Sequence, residues 1–184
     1  RLLYAVNDYL PSPLDTKSVV GHDPEDLDKV LERKADDNEP FSALAFKVQS
    51  DPHMGKLIYF RVYSGSIKAG TYIFNSTKGK TQRVGRILQM HANNREIRED
   101  IFTGDIAAAI GFDSTTTGDT LCDEKHPIIL EAIEFPAPVM SLSIKPKSQI
   151  DQDKLTKGLI RLAEEDPTFT VKTNEETDEV ILSG

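Results

Sequence analysis

The 184 residues predict a mainly β protein with an α+β tail, in which a small closed β-barrel is followed by a partial split βαβ unit. Three observations carry this. From Phe41 to Phe135 apolar residues recur with period two in short runs separated by glycine-bearing turns such as "YSGSIKAG" and "STKGK", which is the pattern of a small barrel. In "EFPAPV" two prolines then interrupt the sheet pattern. Beyond them "DQDKLTKGLIRLAEEDP" switches to helical spacing between strand-like runs.

The elements follow in chain order. Leu2, Leu3, Val6, Tyr9 and Leu10 stand at helical spacing before Pro11 and Pro13, so residues 1–13 read as a helix at the tail of something longer. Residues 14–40 read as an acidic connector with a short surface helix, Asp23 capping it, Pro24 in its first turn, and Leu27, Val30 and Leu31 on one face. In residues 41–136, Leu44, Phe46 and Val48 alternate with Ala43, Ala45 and Lys47, and Leu57, Tyr59, Arg61 and Tyr63 alternate with Ile58, Phe60 and Val62. Further strands are expected at "TYIFNS", "QRVGRILQMH", "DIAAAIGF", "DTLCD" and "IILEAIEF". In residues 137–184, Met140, Leu142 and Ile144 share one strand face. A helix with Leu155, Leu159 and Leu162 in register follows, Asp151 its expected cap and Pro167 beyond its end; "TFTVKT" and "DEVILSG" are two more strands joined by "NEETD".

Composition narrows the function. No apolar run reaches the roughly 18 residues of a spanning helix and no leader pattern opens the chain, so a cytoplasmic protein is expected. Cys122 is the only cysteine, which rules out an internal disulfide and a cysteine-based zinc cage. His22, His53, His91 and His126 are too scattered to suggest a metal site. Net charge is −8 but uneven: residues 15–39 and 151–179 each hold nine acids and four bases. From Lys78 to Arg98 the balance reverses, with Lys78, Lys80, Arg83, Arg86, Arg95 and Arg98 against Glu96 alone. Such a stripe is either the footprint of a polyanion site or a solvated strand surface.

Two tests for enzyme chemistry come out negative. A phosphate loop needs two glycines five apart followed by Lys and Ser/Thr, so that backbone amides cradle phosphates. Gly65 and Gly70 are so spaced but Thr71 stands where the lysine belongs, and Gly79, Lys80 and Thr81 are preceded by Phe74 where the first glycine belongs. In "STTTGDTLCDEKHPI" Cys122 and His126 could form a nucleophile and base, but Asp119, Asp123 and Glu124 supply the opposite of the electropositive setting a reactive thiolate needs. The expectation is that this chain is no enzyme and needs no cofactor or metal.

The run "ALAFKVQSDPHMGKLIYFRVYSGSIKAGTYIFNSTKGKTQRVGRILQMHANNREIRED", with "GDIAAAIGF", "TTTGDTLCDEKHPIILEAIEFPAPV" and "EEDPTF", resembles elongation factor G, the translational GTPase of ribosomal translocation. "LLYAVNDYLPSP" resembles the last helix of that family's GTPase domain, Phe41 to Phe135 its translation-factor β-barrel, and Pro138 to Gly184 the opening of its ferredoxin-like domain III. The resemblance implies a piece that docks on small-subunit ribosomal RNA and couples to its own GTPase domain, with no membrane or DNA partner. GTP and Mg belong to the full-length parent. It also implies site residues: the turn "RVYSGSIK" points to Arg61, Ser64, Gly65 and Lys68, the basic stripe adds Lys78, Lys80, Arg83 and Arg86, and Thr168 and Phe169 match the family's interdomain fusidic acid pocket. The alternatives are the same domains from a ribosomal-protection or release-factor GTPase, or a hydrolase using the Thr/Cys/His stretch.

Overall fold

A computed structural model describes residues 1–13, 15–51, 53–91, 94–131, 133, 135–146, 148–174 and 179–184. Its elements run α1 (Leu2–Tyr9), β1 (Val19–His22), β2 (Val30–Arg33), β3 (Ser42–Asp51), β4 (Gly55–Ser64), β5 (Ile67–Lys68), β6 (Tyr72–Asn75), β7 (Lys80–Arg83), β8 (Ile87–His91), β9 (Asn94–Arg98), β10 (Asp100–Ile101), β11 (Ile106–Ala109), β12 (Thr120–Cys122) and β13 (Ile129–Leu130), then β14 (Ser141–Ile144), α2 (Gln149–Glu165), β15 (Thr170–Thr173) and β16 (Val180–Ser183). Eight strands form one antiparallel sheet in the order β7-β6-β12-β3-β4-β11-β8-β9. Inside it lies a core of Phe41, Ala43, Ala45, Val48, Ile58, Phe60, Val62, Phe112 and their neighbours, with Phe60 and Phe112 tilted against each other at 6.0 Å.

The sheet closes where the sequence predicts one continuous strand through "QRVGRILQMH". Instead the chain breaks between β7 and β8. Lys80–Arg83 pair with β6, then the Gly85 N–H bonds Ile110 O and the Ile110 N–H bonds Arg86 O, so that Ile87 onward pairs with β11. A Cβ at Gly85 would sit 2.4 Å from Ile110 O, so only glycine permits this close crossing.

Alternation in β3 also differs from a simple period of two. Ala45 pairs with Phe60 and Lys47 with Tyr59, leaving Phe46 as the extra residue of a bulge. The bulge changes parity, so Ala43, Ala45 and Val48 all reach the same core.

The acidic segment is not a helix. Val19–Arg33 forms the hairpin β1–β2, and β1 also pairs with β13. Asp23 does not cap a helix: its carboxylate accepts the Glu25 N–H at 3.0 Å and the Lys29 ammonium at 2.8 Å, while its own N–H donates to Lys29 O. Pro24 therefore sits in a turn that closes a hairpin. Leu31 and Val19 then cover a second apolar cluster, of Leu44, Cys122, Ile128 and Leu130, which a surface helix would have left open.

The C-terminal unit has the expected strand, helix, strand, strand order, with sheet order β14-β16-β15. Ser148, not Asp151, is the N-cap of α2: its hydroxyl accepts the Asp151 N–H and donates to the Asp151 carboxylate at 2.7 Å. A hydroxyl one turn earlier reaches the open amides that an aspartate inside the first turn cannot. The turn expected at "NEETD" falls mostly outside the described residues, as does part of "IILEAIEF", of which Ile129–Leu130 forms a strand. The unit meets the barrel at the C-terminal end of α2, where Glu165 accepts the Ser50 N–H at 2.8 Å and Glu164 lies 3.5 Å from Lys56.

Candidate nucleic-acid interface

The eight cationic and turn residues singled out in the barrel divide sharply by what holds them. Arg61, on the outer face of β4, has its guanidinium 5.6 Å from the centre of the Tyr63 ring and no hydrogen bond or ion pair among the described residues. Lys80 and Arg86 are exposed and likewise form no side-chain bond there. Arg83 is exposed and reaches only Gly70 O, at 3.4 Å. Lys68 is exposed and stands 3.6 Å from Asp100. These five can meet a polyanion without first breaking strong bonds.

Ser64, Gly65 and Lys78 serve the fold instead. The Ser64 hydroxyl is buried; it donates to Pro40 O at 2.7 Å and lies 2.7 Å from Ser42 Oγ. Gly65 has φ +71° and a Cβ there would meet Glu39 O at 2.5 Å, so glycine is required by the turn itself. The Lys78 ammonium is held by three acceptors, Ser114 O at 2.6 Å, Thr116 Oγ1 at 2.7 Å and Asp119 Oδ2 at 3.0 Å. An ammonium has three protons to donate, and all have partners. Of the stripe's other members, Arg95 is paired with the buried Asp51, and Arg98 is bonded to Gln89 and lies near Glu96.

The threonine-rich loop is the other half of that lock. Asp119, itself buried, accepts the Thr116 N–H at 2.9 Å and the Asn75 amide at 2.8 Å beside Lys78, and the Gly118 N–H bonds Ala45 O. Thr120 Oγ1 accepts the Leu130 N–H. Nothing in the loop is poised to attack a substrate. Cys122 is buried, and burial pushes its thiol above the ordinary cysteine range. His126 is turned to Asp123 at 3.2 Å; burial raises that carboxyl, but the Lys125 N–H and the His126 ring outweigh it and hold it below its usual range. The two partial phosphate-loop motifs are turns with committed amides: Gly65 N–H bonds Asp36 O, Gly70 N–H bonds Val84 O, and Gly79 turns the β6–β7 hairpin. They do not fit a nucleotide's phosphates. Among the described residues no three His, Cys, Asp or Glu gather as metal ligands, and no helix is long and apolar enough to cross a membrane.

In the C-terminal unit Thr168 follows α2 in a tight turn, its hydroxyl and N–H both donating to Asp166 Oδ1 at 2.6 and 2.9 Å. Those bonds hold the Asp166 carboxyl low. The partly buried Phe169 ring lies beside Gly184.

Residues 55–122 match the family model for elongation factor Tu domain 2, and residues 135–184 match that for elongation factor G domain III. A crystal structure of a protein from Thermus thermophilus superposes with a TM-score of 0.74 at 25% identity, over 100% of this chain and 25% of that one. A barrel of the first kind followed directly by a domain of the second decides the family. The chain belongs to the elongation factor G family.

In this elongation factor G chain the barrel and the ferredoxin-like unit are the two parts the sequence predicts. The chain spans about a quarter of the length of the solved structure it matches. The resemblance of the turn "RVYSGSIK" put Ser64 among the candidates and the basic stripe put Lys78 there; that both are bonded within the fold is visible only from the partners Pro40, Ser114 and Asp119, 24 to 41 residues away in sequence. Sequence reasoning missed Tyr63 as the support of Arg61, although a residue two along a strand shares its face.

Proposed function

We propose that this chain is the part of a translational GTPase that docks on small-subunit ribosomal RNA and links that contact to the parent's own GTPase domain, in the cytoplasm, during translocation. The observation that supports it is the contrast within one acidic chain: Arg61, Lys80 and Arg86 are exposed on the barrel with no anionic partner among the described residues. Unpaired cations on an otherwise acidic protein repel one another and gain most from a phosphate backbone. GTP and Mg in the parent would be held elsewhere, since the glycine turns here are already bonded internally. The Thr168–Phe169 turn would contribute to the parent's interdomain fusidic acid pocket.

Co-sedimentation with isolated ribosomal subunits tests the docking. The chain should pellet with small subunits at low salt, and Lys80→Glu and Arg86→Glu should each weaken it. Equal recovery with large subunits, or indifference to both reversals, would contradict the proposal.

A further inference from the structure

The last turn of α2 carries Glu164 and Glu165 and no basic residue. The open carbonyls of a helix C-terminus are partly negative, so two carboxylates there oppose the helix's own field and need compensation from outside it. The barrel supplies it at one place. Ser50 and Lys56 pair across the end of the β3–β4 hairpin; the Ser50 N–H donates to Glu165 Oε1 at 2.8 Å, and the Lys56 ammonium lies 3.5 Å from Glu164 Oε2. Lys56 is anchored to the barrel as well, donating to Asp113 O at 3.1 Å, and only 16% of its side chain is exposed. Asp51 stiffens the hairpin end by accepting the His53 and Met54 N–H groups and pairing with Arg95. The apolar side of the joint is left open: a cleft of about 500 Å³ separates Lys47, Val48 and Gln49 of β3 from Leu162 and Pro167 on the helix side, and Leu162 is 51% exposed.

We propose that Glu164 and Glu165, with the Ser50–Lys56 end of the hairpin, form a charge-controlled latch, which holds the C-terminal unit in one orientation on the barrel and releases it when these charges are screened or a competing cation takes the carboxylates. The barrel half is braced and the helix half is held by polar contacts, so the joint has a closed state without the large apolar interface that would make it permanent. The turn beyond the latch travels with it. Asp166 N–H bonds Leu162 O, and Asp166 in turn accepts the Thr168 and Phe169 N–H groups, so release moves the Thr168–Phe169 turn relative to the barrel together with α2.

The experiment is a distance measurement between spin labels at Lys80→Cys on β7 and Lys172→Cys on β15; both sites are exposed, and the buried Cys122 stays unlabelled in the folded chain. At low salt the labelled chain should give one narrow distance peak. Raising salt to about 1 M, where the screening length falls to about 3 Å, should shift population out of that peak. At low salt the Glu164→Gln, Glu165→Ala double variant should lose the peak, whereas Glu165→Gln, which keeps an acceptor for the Ser50 N–H, should retain part of it. Lys56→Glu should lose it as well, and adding Glu164→Lys should bring it back. The glutamate variants should leave the melting of the barrel unchanged. A narrow peak at the same distance in the double variant, at low and high salt alike, overturns the latch, because something else then fixes the orientation. A broad distribution for the labelled chain at low salt overturns it too, because the closed state is then absent.

Discussion

Lys78 and Lys80 stand two residues apart and look alike in sequence, yet the first is bonded to three acceptors around the buried Asp119 and the second is unpaired among the described residues. Breaking a fully buried ion pair costs roughly 3–5 kcal/mol; with 31% of the Lys78 side chain still exposed we expect about 2 kcal/mol for Lys78→Met and under about 0.5 kcal/mol for Lys80→Met, read as midpoints of urea unfolding. The binding consequence is the reverse, since only Lys80 is free to meet phosphate. Cys122 offers a second check at this scale. Its folded thiol pKa is raised, so the group that reacts, the thiolate, stays scarce through and above the ordinary cysteine range, and the atom is buried as well. Iodoacetamide at pH 8 should label the folded chain far more slowly than the urea-unfolded chain; equal rates would mean the barrel opens at β12. The sequence argued against a reactive Cys122 from its acidic neighbours, which are local; the larger cause of the raised thiol is burial, which comes from the packing around β12. The sequence could not tell Lys78 from Lys80, because the acceptors of Lys78 come from a loop some 40 residues away.

Elements were legible where their pattern was local and uninterrupted. α1, β4, α2 and β12 lie where periodicity and flanking prolines put them. The errors fall where tertiary pairing overrides a local signal. Asp23-Pro24 is an acceptable helix start in isolation, but the partners of β1 and β2 are each other and Ile129–Leu130, more than 90 residues on. The break at Gly85 and the bulge at Phe46 leave no trace in a period-two count, since each is defined by what lies across the ladder. For α2 the competing caps can be separated directly. Ser148→Ala removes the hydroxyl that accepts the Asp151 N–H and should destabilise the C-terminal unit by about 1 kcal/mol, with Ser148→Asp restoring most of it. An unchanged melting curve would return the cap to Asp151.

At the scale of the molecule the two units differ in how much they bury. The barrel has a core cluster with many fully buried side chains, whereas among the described residues of the C-terminal unit Leu159 alone is a buried hydrophobe, and Val139, Met140 and Leu142 remain 92%, 66% and 65% exposed. A unit with so small a buried core should open readily. Hydrogen exchange should therefore be faster from Met140 to Leu182 than in β3, β4 and β11, and equal protection in dilute solution would show that this unit is stable by itself. The central claim, that an acidic chain meets RNA through a few unpaired cations on its barrel, is tested most directly by binding to small-subunit ribosomal RNA between about 50 and 200 mM monovalent salt. If Arg61, Lys80 and Arg86 each neutralise one phosphate, the log–log slope should be about −2 and affinity should fall roughly fifteenfold over that range. A flat line, with binding retained at the upper concentration, would contradict it.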